Sequence, residues 1–439
     1  MTSATPAQSD QGRCGPSLPA VLREWGRIGC VGFGGPPTHI ALLRDLCVER
    51  RRWLNASEFE EAVAACNLLP GPASTQLAIF CAWRVRGRLA AVLGGAAFIV
   101  PGLILMLALA AVFVTGSPPA WMRGAGAGAG AAVAAVAVRA GAGLVPASWR
   151  RARRISRFRW PAYVALGAAA AATVGPWLVL VLLGCGVAEL GVSLVRRHGA
   201  GENGTGGSGT GTRPGACGAG GSQGAGGKAG AQGDPPTAGG PGARASAVAP
   251  AAMLAAAGAG AGVLLSVAWV AFKVGALSYG GGFVIVPLMQ ADAVIRYHWM
   301  TGGQFLNAVA LGQITPGPVV LTVAAVGYAA AGIGGGLLAA AIAFAPSFAF
   351  VLIGGRHFDR LRADDRARAF LGGAGPAAIG AILGSSIPLA LALTQGWQYA
   401  VLAGAAAVLL LLRRGIVVTL LLAAAAGMIV ALAGAPLPH

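Results

Sequence analysis

The sequence predicts an all-α polytopic membrane protein with two homologous repeats, each containing one helix that is broken at a Pro-Gly-Pro motif. Three observations lead to this fold class: an apolar composition, recurrent long apolar segments, and self-similarity between the two halves. Of the 439 residues, 56% are hydrophobic and only 10% are charged. Soluble domains carry about 25% charged residues, so the composition indicates a chain embedded in a membrane.

Apolar segments long enough to cross a bilayer recur along the chain. They are 89–114, 124–147, 160–195, 250–272, 334–354, 371–394 and 397–432. Some have room for two crossings, because one crossing needs about 20 residues. Arginines gather in short loops between these segments, which is typical of cytoplasmic loops under the positive-inside rule. A net charge of +18 distributed in this way predicts a lipid bilayer, and no nucleic acid, as the partner.

Two segments lack the apolar side chains that a packed fold requires. Residues 1–17 are predicted to be a disordered tail, since they are polar and contain no cleavable apolar core. Residues 198–249 consist almost entirely of Gly, Ala, Ser, Thr and Pro and are predicted to be a flexible linker. These boundaries leave an N-terminal repeat over 18–197 and a C-terminal repeat over 250–439.

The two repeats align without a gap over about forty residues at an offset of 246 positions, and after a slip of one residue Pro101 falls on Pro346. The FGG sequence at 33–35 meets YGG at 279–281, and PGP at 70–72 meets PGP at 316–318. Internal duplication is typical of secondary transporters, in which the second copy is often inverted in the bilayer. Both flanks of the first PGP segment are basic and those of the second are not. We therefore expect an inverted second repeat and PGP segments that form re-entrant hairpins.

The PGP motifs predict a binding site. Proline has no backbone N–H and clashes with the preceding turn, so each motif breaks a helix. The helix that begins after each break presents free N–H groups and a positive dipole end, which suit an anion. The predicted site comprises both motifs and the hydroxyl and amide side chains beside them, namely Asn67, Pro70, Gly71, Pro72, Ser74, Thr75, Gln313, Pro316, Gly317, Pro318 and Thr322. The alternative is a kink that only lets helices pack.

Two further features belong to this prediction. One is a pair of glycines in each repeat, which either allow close helix packing or let the backbone touch a ligand. These are Gly34 with Gly35 and Gly280 with Gly281. The other is Lys273, which stands in an uncharged apolar span and has Arg27 as its repeat equivalent. Cations inside membranes are costly, so we predict that both help to bind the anion, with snorkelling to an interface as the alternative.

The sequence contains no catalytic constellation. The five histidines are scattered, and no nucleotide, metalloprotease or serine-hydrolase motif is present. The seven cysteines show no CxxC spacing and no clustering with histidine. These observations predict a protein that is not an enzyme and that binds neither a metal nor a cofactor.

The stretch FGGPPTHIALLRD…RRRWLNASEFEEAVAACNLLPGPASTQLAIF strongly resembles the chromate ion transporter family. The stretch SYGGGFVIVPLMQ…WMTGGQF…GQITPGP is similar to the second domain of the family's long, two-domain members. The resemblance implies export of chromate across the bacterial plasma (inner) membrane and chromate resistance, with sulfate as the look-alike anion.

The residues alone predict a secondary transporter of a small oxyanion and leave the substrate open. The alternatives are a transporter of sulfate or another oxyanion, and a membrane scaffold that transports nothing. A homodimer is compatible with the sequence.

Overall fold

The structure is a computed structural model that describes residues 16–66, 71–115, 118–152, 158–173, 178–202, 248–278, 285–354 and 364–438. These residues contain helices and no strands. The larger of two compact units combines residues 1–193 with 260–439, and the smaller covers 194–259. Most of the predicted tail (1–17) and of the predicted linker (198–249) lies outside the described residues; the linker's described ends, 198–202 and 248–249, belong to the helices on either side.

The first half contains eight α-helices in the described residues. They are α1 (Leu18–Val31), α2 (Pro36–Arg44), α3 (Ala56–Cys66), α4 (Ala73–Ala110), α5 (Ala120–Ala131), α6 (Val133–Ala152), α7 (Arg159–Thr173) and α8 (Leu178–Glu202). A wider π-helical turn, Asp45–Arg50, follows α2 directly. The first PGP motif therefore falls between α3 and α4, where the sequence predicts a break.

The second half repeats this order up to its longest helix. Its helices are α9 (Val248–Leu277), α10 (Ile285–Gln290), α11 (Gly302–Ile314), α12 (Thr322–Gly354), α13 (Asp365–Leu391), α14 (Gly396–Ala406) and α15 (Ile416–Leu432). A π-helical turn, Ala291–Arg296, follows α10 and lies 246 positions after its counterpart in the first half. The second PGP motif lies between α11 and a 3-10 turn, Val319–Leu321, that leads into α12.

The long helices α4 and α12 each have a kink in an equivalent position. Non-helical backbone occurs at Arg86 and Gly87 in α4, and at Ala331 and Gly332 in α12. The φ angles of the two glycines are +80° and +62°, values that glycine adopts without a steric penalty. Each long helix therefore has a short first leg, which starts at the PGP motif, and a longer second leg.

Five helical segments of the described residues are long and apolar enough to cross a membrane. They are Ala73–Phe113, Ala120–Arg150, Leu178–Val195, Val319–Gly354 and Asp365–Leu391. Three shorter apolar helices are Ala261–Leu277, Gly396–Leu411 and Ile416–Leu432. The apolar segments 160–195 and 397–432 each contain two helices, in agreement with their length. These segments identify a multi-pass membrane protein.

Small residues set the distances between helices in this fold. Gly124 and Gly128 of α5 lie against Gly427 of α15, so closely that an added Cβ would overlap the α15 backbone. Gly29 of α1 lies against the backbone of Phe98 in α4. Because lipid offers no hydrophobic drive for helix association, such close backbone contact is a main source of stability in membranes.

The helix α3 and the first leg of α4 form an antiparallel hairpin. Glu58, in the first turn of α3, makes an ion pair with Arg84, near the end of that first leg. The two helices are also in direct contact. The two ends of the first PGP segment therefore lie together at one end of the hairpin, which is the geometry that a re-entrant segment requires.

Candidate functional site

The glycine of each PGP motif adopts a backbone conformation that other residues avoid. The φ angle is +125° at Gly71 and +102° at Gly317. Pro72 and Pro318 occupy the N-cap positions of the helical turns that follow, and neither side chain provides a capping hydrogen bond. Pro316 precedes the second glycine, whereas Asn67 and Pro70 lie outside the described residues. Two uncapped helix starts, each with orphan N–H groups, thus follow the two glycines.

The two PGP turns are held by a reciprocal pair of hydrogen bonds between the halves. The N–H of Gly71 donates to the carbonyl oxygen of Ser278 at 2.8 Å, and the N–H of Gly317 donates to that of Gly32 at 3.1 Å. Gly32 and Ser278 are themselves 246 positions apart, as the two glycines are. Each PGP turn is therefore fixed by the residue that follows the first helix of the opposite half.

The same crossed arrangement extends to the long helices. A Cβ on Gly71 would lie 3.2 Å from Ser347 Oγ of α12, and one on Gly317 would lie 3.6 Å from the Cα of Gly102 in α4. Gly35, which has a φ of +79°, lies with its Cβ position 3.7 Å from Val319 Cγ2. Four chain segments, two from each half, thus converge on the PGP turns.

Of the glycine pairs that were predicted to belong to the site, the structure places only part at the PGP turns. Gly35 meets the second PGP turn, as described above. Gly34 has a φ of +96° and lies next to the side chain of Thr38, with its Cβ position 3.1 Å from Oγ1. Gly280 and Gly281 lie outside the described residues.

Buried polar side chains, several of them without a hydrogen-bond partner in the described residues, surround the turns. Ser74, Thr75, Gln313 and Thr322 are 2%, 0%, 5% and 1% exposed. Thr322 Oγ1 donates to the carbonyl oxygen of Val319 at 2.8 Å. The buried atoms without a hydrogen-bond partner within the described residues include Thr75 Oγ1, Ser278 Oγ, Gln313 Nε2 and Ser347 Oγ. Each unpaired buried group costs about 1–3 kcal/mol, so this cluster favours a polar ligand or water between the turns.

His39 is a component of this region that the sequence did not reveal. It is 0% exposed, and its Nε2 lies 2.9 Å from the carbonyl oxygen of Gly32. Because a carbonyl only accepts, Nε2 carries the proton and donates, and the Gly32 oxygen receives both this bond and the one from Gly317. The only signal was its position four residues after the FGG glycines, which is no recognised motif.

Lys273 and Arg27 are each paired with a carboxylate. Lys273 Nζ lies 2.5 Å from Asp292 Oδ2, with side chains 11% and 2% exposed, and the Arg27 guanidinium lies 3.8 Å from Glu24 at 58% exposure. Asp292 was not singled out in the sequence, because its partner lies 19 residues earlier on another helix. The positive charge of Lys273 is therefore already balanced, and a direct role for both cations in anion binding stays a prediction.

The first half carries a dense set of ion pairs at the open end of its hairpin. Arg51 donates to Glu24 at 2.7 Å, and Glu58 makes an ion pair with Arg84. Arg86 also donates to the carbonyl oxygen of Pro16 at 2.8 Å. The equivalent end of the second half has Thr301 and Gln304 in a capping box instead. The charge asymmetry between the two flanks thus exists in three dimensions as well as in the sequence.

Comparison with known proteins decides the family. The family model described as "Chromate transporter" matches residues 20–190 and 265–429, which together cover most of both halves. The chain belongs to the chromate transporter family. The region between the two matches contains the predicted linker, so this family member consists of two matched halves joined by a segment outside the match.

Curated relatives agree with this assignment. The chain is 30% identical over 374 residues to the chromate transport protein of Cupriavidus metallidurans, covering 83% of this chain and 80% of the relative. It is 30% identical over 383 residues to the chromate transport protein of Pseudomonas aeruginosa, covering 85% and 81%. A probable chromate transport protein of Synechococcus elongatus is 26% identical over 373 residues, covering 85% and 84%. No solved structure matches the chain.

Proposed function

We propose that this family member is a secondary transporter that exports chromate from the cytoplasm through a site between its two PGP turns. The observation that carries the proposal is the crossed pair of hydrogen bonds, Gly71 to Ser278 and Gly317 to Gly32. This arrangement supports a single shared site, because it joins both helix breaks to both halves. The relatives named as chromate transport proteins support the choice of anion.

Neutral donors carry the binding in this proposal. Chromate is a tetrahedral dianion with four acceptor oxygens, and the turns are lined by hydroxyls, an amide and the N-terminal N–H groups of two helical segments. Thr75 Oγ1, Ser347 Oγ and Gln313 Nε2 are buried and unpartnered within the described residues, so an oxyanion would satisfy them without displacing an existing bond. Each helix start contributes about 0.3–1 kcal/mol toward a nearby negative charge. The site can thus hold an anion and still release it.

Export follows from the charge of the substrate. With an inside-negative potential of about 100 mV, two negative charges moving outward gain about 4.6 kcal/mol. The membrane potential of a bacterial inner membrane would therefore drive efflux without a coupled cation. Removal of chromate from the cytoplasm would make the cell resistant to it.

An inverted arrangement of the two repeats would supply the mechanism of access. Two halves that contribute equivalent turns to one central site allow that site to open alternately to either side by a rocking motion. The basic open end of the first hairpin favours the cytoplasmic side, and the second hairpin, which lacks those charges, would open to the outside.

Flux in proteoliposomes tests the proposal. The purified chain is reconstituted, an electrical potential is imposed, and accumulation of chromate is measured with and without excess sulfate. We expect potential-driven chromate flux; no flux of chromate or sulfate would contradict transport, and equal competition by sulfate would make sulfate an equivalent substrate.

The site itself is tested with two buried threonines. Thr75→Val removes an unpartnered hydroxyl, and we expect the half-saturating chromate concentration to rise about 5- to 10-fold, the equivalent of about one neutral hydrogen bond. Thr419→Val is the matched control, because Thr419 is 1% exposed and its hydroxyl already donates to Gly415 at 3.0 Å. Equal chromate affinity in the two variants would show that the Thr75 hydroxyl does not bind chromate.

A further inference from the structure

A cavity with polar side chains in its wall lies away from the PGP turns, at the start of α11. Its volume is about 210 Å³, and it lies among α5, α11 and the connection from α13 to α14. The residues that line it include Arg123, Gln304, Asn307, Thr394 and Gln398. Since each water molecule occupies about 30 Å³ in the liquid, the cavity has room for a five-atom oxyanion with several waters.

Several polar side chains of this cavity can donate hydrogen bonds to a ligand. Gln304 Oε1 accepts from the N–H of Thr301 at 2.9 Å, and Gln398 Oε1 accepts from the N–H of Thr394 at 3.1 Å. The Gln398 NH2 group donates to the carbonyl oxygen of Ala127 at 3.4 Å. In Gln304 the oxygen is occupied and the NH2 group makes no hydrogen bond within the described residues, so Gln304 is the glutamine that can donate to a ligand. Arg123 adds a guanidinium that makes no hydrogen bond or ion pair within the described residues. Among the described residues, no Asp or Glu side chain lines the cavity.

Two of the residues that line this cavity differ in charge from their equivalents in the first half. Gln304 and Asn307 stand 246 positions after Glu58 and Glu61. In the first half these positions carry two carboxylates, one of which pairs with Arg84. In the second half both are neutral amides. The replacement removes two negative charges and supplies N–H donors, which changes a surface that repels anions into one that can bind them.

We propose that this cavity is a second oxyanion site, through which the substrate passes after it leaves the PGP turns. The inference rests on the proposed function for the identity of its ligand. Arg123 attracts the dianion by charge, and the amides of Gln304 and Asn307 bind its oxygens. Because the cavity lies at the open end of the second hairpin, it serves the side of the membrane opposite the basic end of the first.

Protection from thiol labelling measures occupancy of the cavity without transport. Thr394→Cys places an exposed thiol in the cavity wall, and a maleimide labels it in the full-length chain, with the unsubstituted chain as the blank. Sulfate is the probe, because chromate oxidises thiols. At about ten times its dissociation constant, sulfate should slow labelling about tenfold by mass action. Adding Asn307→Asp should abolish the protection, and unchanged labelling rates with sulfate in the Thr394→Cys chain would overturn the proposal.

Chromate flux from each side supplies the second readout. Asn307→Asp or Gln304→Glu restores a first-half charge, and either should raise the half-saturating chromate concentration about tenfold for anion offered from the cavity side. Affinity from the opposite side should stay the same. Arg368→Gln is the control for an equal change of one charge unit outside the cavity, because Arg368 does not line the cavity and pairs with Asp365.

The outcomes separate the two proposals. Flux without any effect of Asn307→Asp or Gln304→Glu on cavity-side affinity overturns the second site and leaves the proposed function intact. Absence of all flux in the unsubstituted chain refutes the proposed function, and sulfate protection of Thr394→Cys still decides whether the cavity binds an oxyanion.

Discussion

A methyl group on Gly71 is the smallest change that tests the turn as a binding element. At a φ of +125°, Gly71→Ala imposes a backbone strain of about 1–3 kcal/mol. The new Cβ would also overlap Gln76 Nε2 and lie 3.2 Å from Ser347 Oγ. Gln76 is 0% exposed, so its amide has to move within a packed interior.

The expected free-energy cost of Gly71→Ala has two parts. The backbone part is shared by any alanine at a positive φ, whereas the contact part belongs to Gly71 alone. A buried amide displaced from its position loses about 1–3 kcal/mol. Expressed in binding, that contact part corresponds to a loss of chromate affinity of about 5- to 150-fold.

Gly87→Ala is the matched control for this experiment. Gly87 has a φ of +80° and no atom within 4 Å of its Cβ position, so the variant carries strain without new contacts. Both variants are assayed for chromate uptake into inside-out membrane vesicles, normalised to the amount of protein in the membrane. We expect Gly71→Ala to require a higher chromate concentration for half-maximal uptake than Gly87→Ala.

One result would refute this reasoning. If Gly71→Ala accumulates normally and its half-saturating concentration equals that of Gly87→Ala, the first turn does not shape the site. The PGP motif would then be a kink that serves packing alone.

Two other predictions concern topology and the buried ion pair. Arg52→Cys and Arg86→Cys should both be labelled from the cytoplasm, since the hairpin brings its flanks to one side; labelling from opposite faces would exclude a re-entrant segment. Lys273→Gln should lower the free energy of unfolding by about 3–5 kcal/mol, and with it the melting temperature, because it leaves Asp292 buried without its partner. The double variant with Asp292→Asn should recover much of that loss, and an unchanged melting temperature in the single variant would mean that the pair is not formed.

Local chemistry made part of this structure predictable. Proline and glycine determine the helix breaks through their own backbone properties, so the turns at Gly71 and Gly317 could be predicted from the sequence alone. Thr301 and Gln304 have the N-cap and N3 spacing of a capping box, and the structure contains both of its hydrogen bonds. Apolar length likewise indicated the membrane helices, because the bilayer sets a minimum length.

Contacts between distant segments were not predictable in the same way. Ser347 follows a proline inside an apolar helix, and nothing near it in the sequence shows that it lies against Gly71. Asp292 was missed for a similar reason, since its lysine partner is on another helix. Matching Lys273 with Arg27 by repeat position also said nothing about their acidic partners, which differ between the halves: the residue that corresponds to Asp292 is Leu46.

The crossed hydrogen bonds of the PGP turns have a consequence for how such a chain could arise. A single module of this kind is incomplete, because the carbonyl that fixes its turn belongs to another copy, so an ancestor with one module would have worked only as a pair. Joining two copies through a linker replaces that encounter by an intramolecular one at an effective concentration on the order of millimolar. In a symmetric pair every substitution appears twice. Fusion ends this constraint. Residues at equivalent positions of the two repeats, such as Gly102 and Ser347, can then differ from each other.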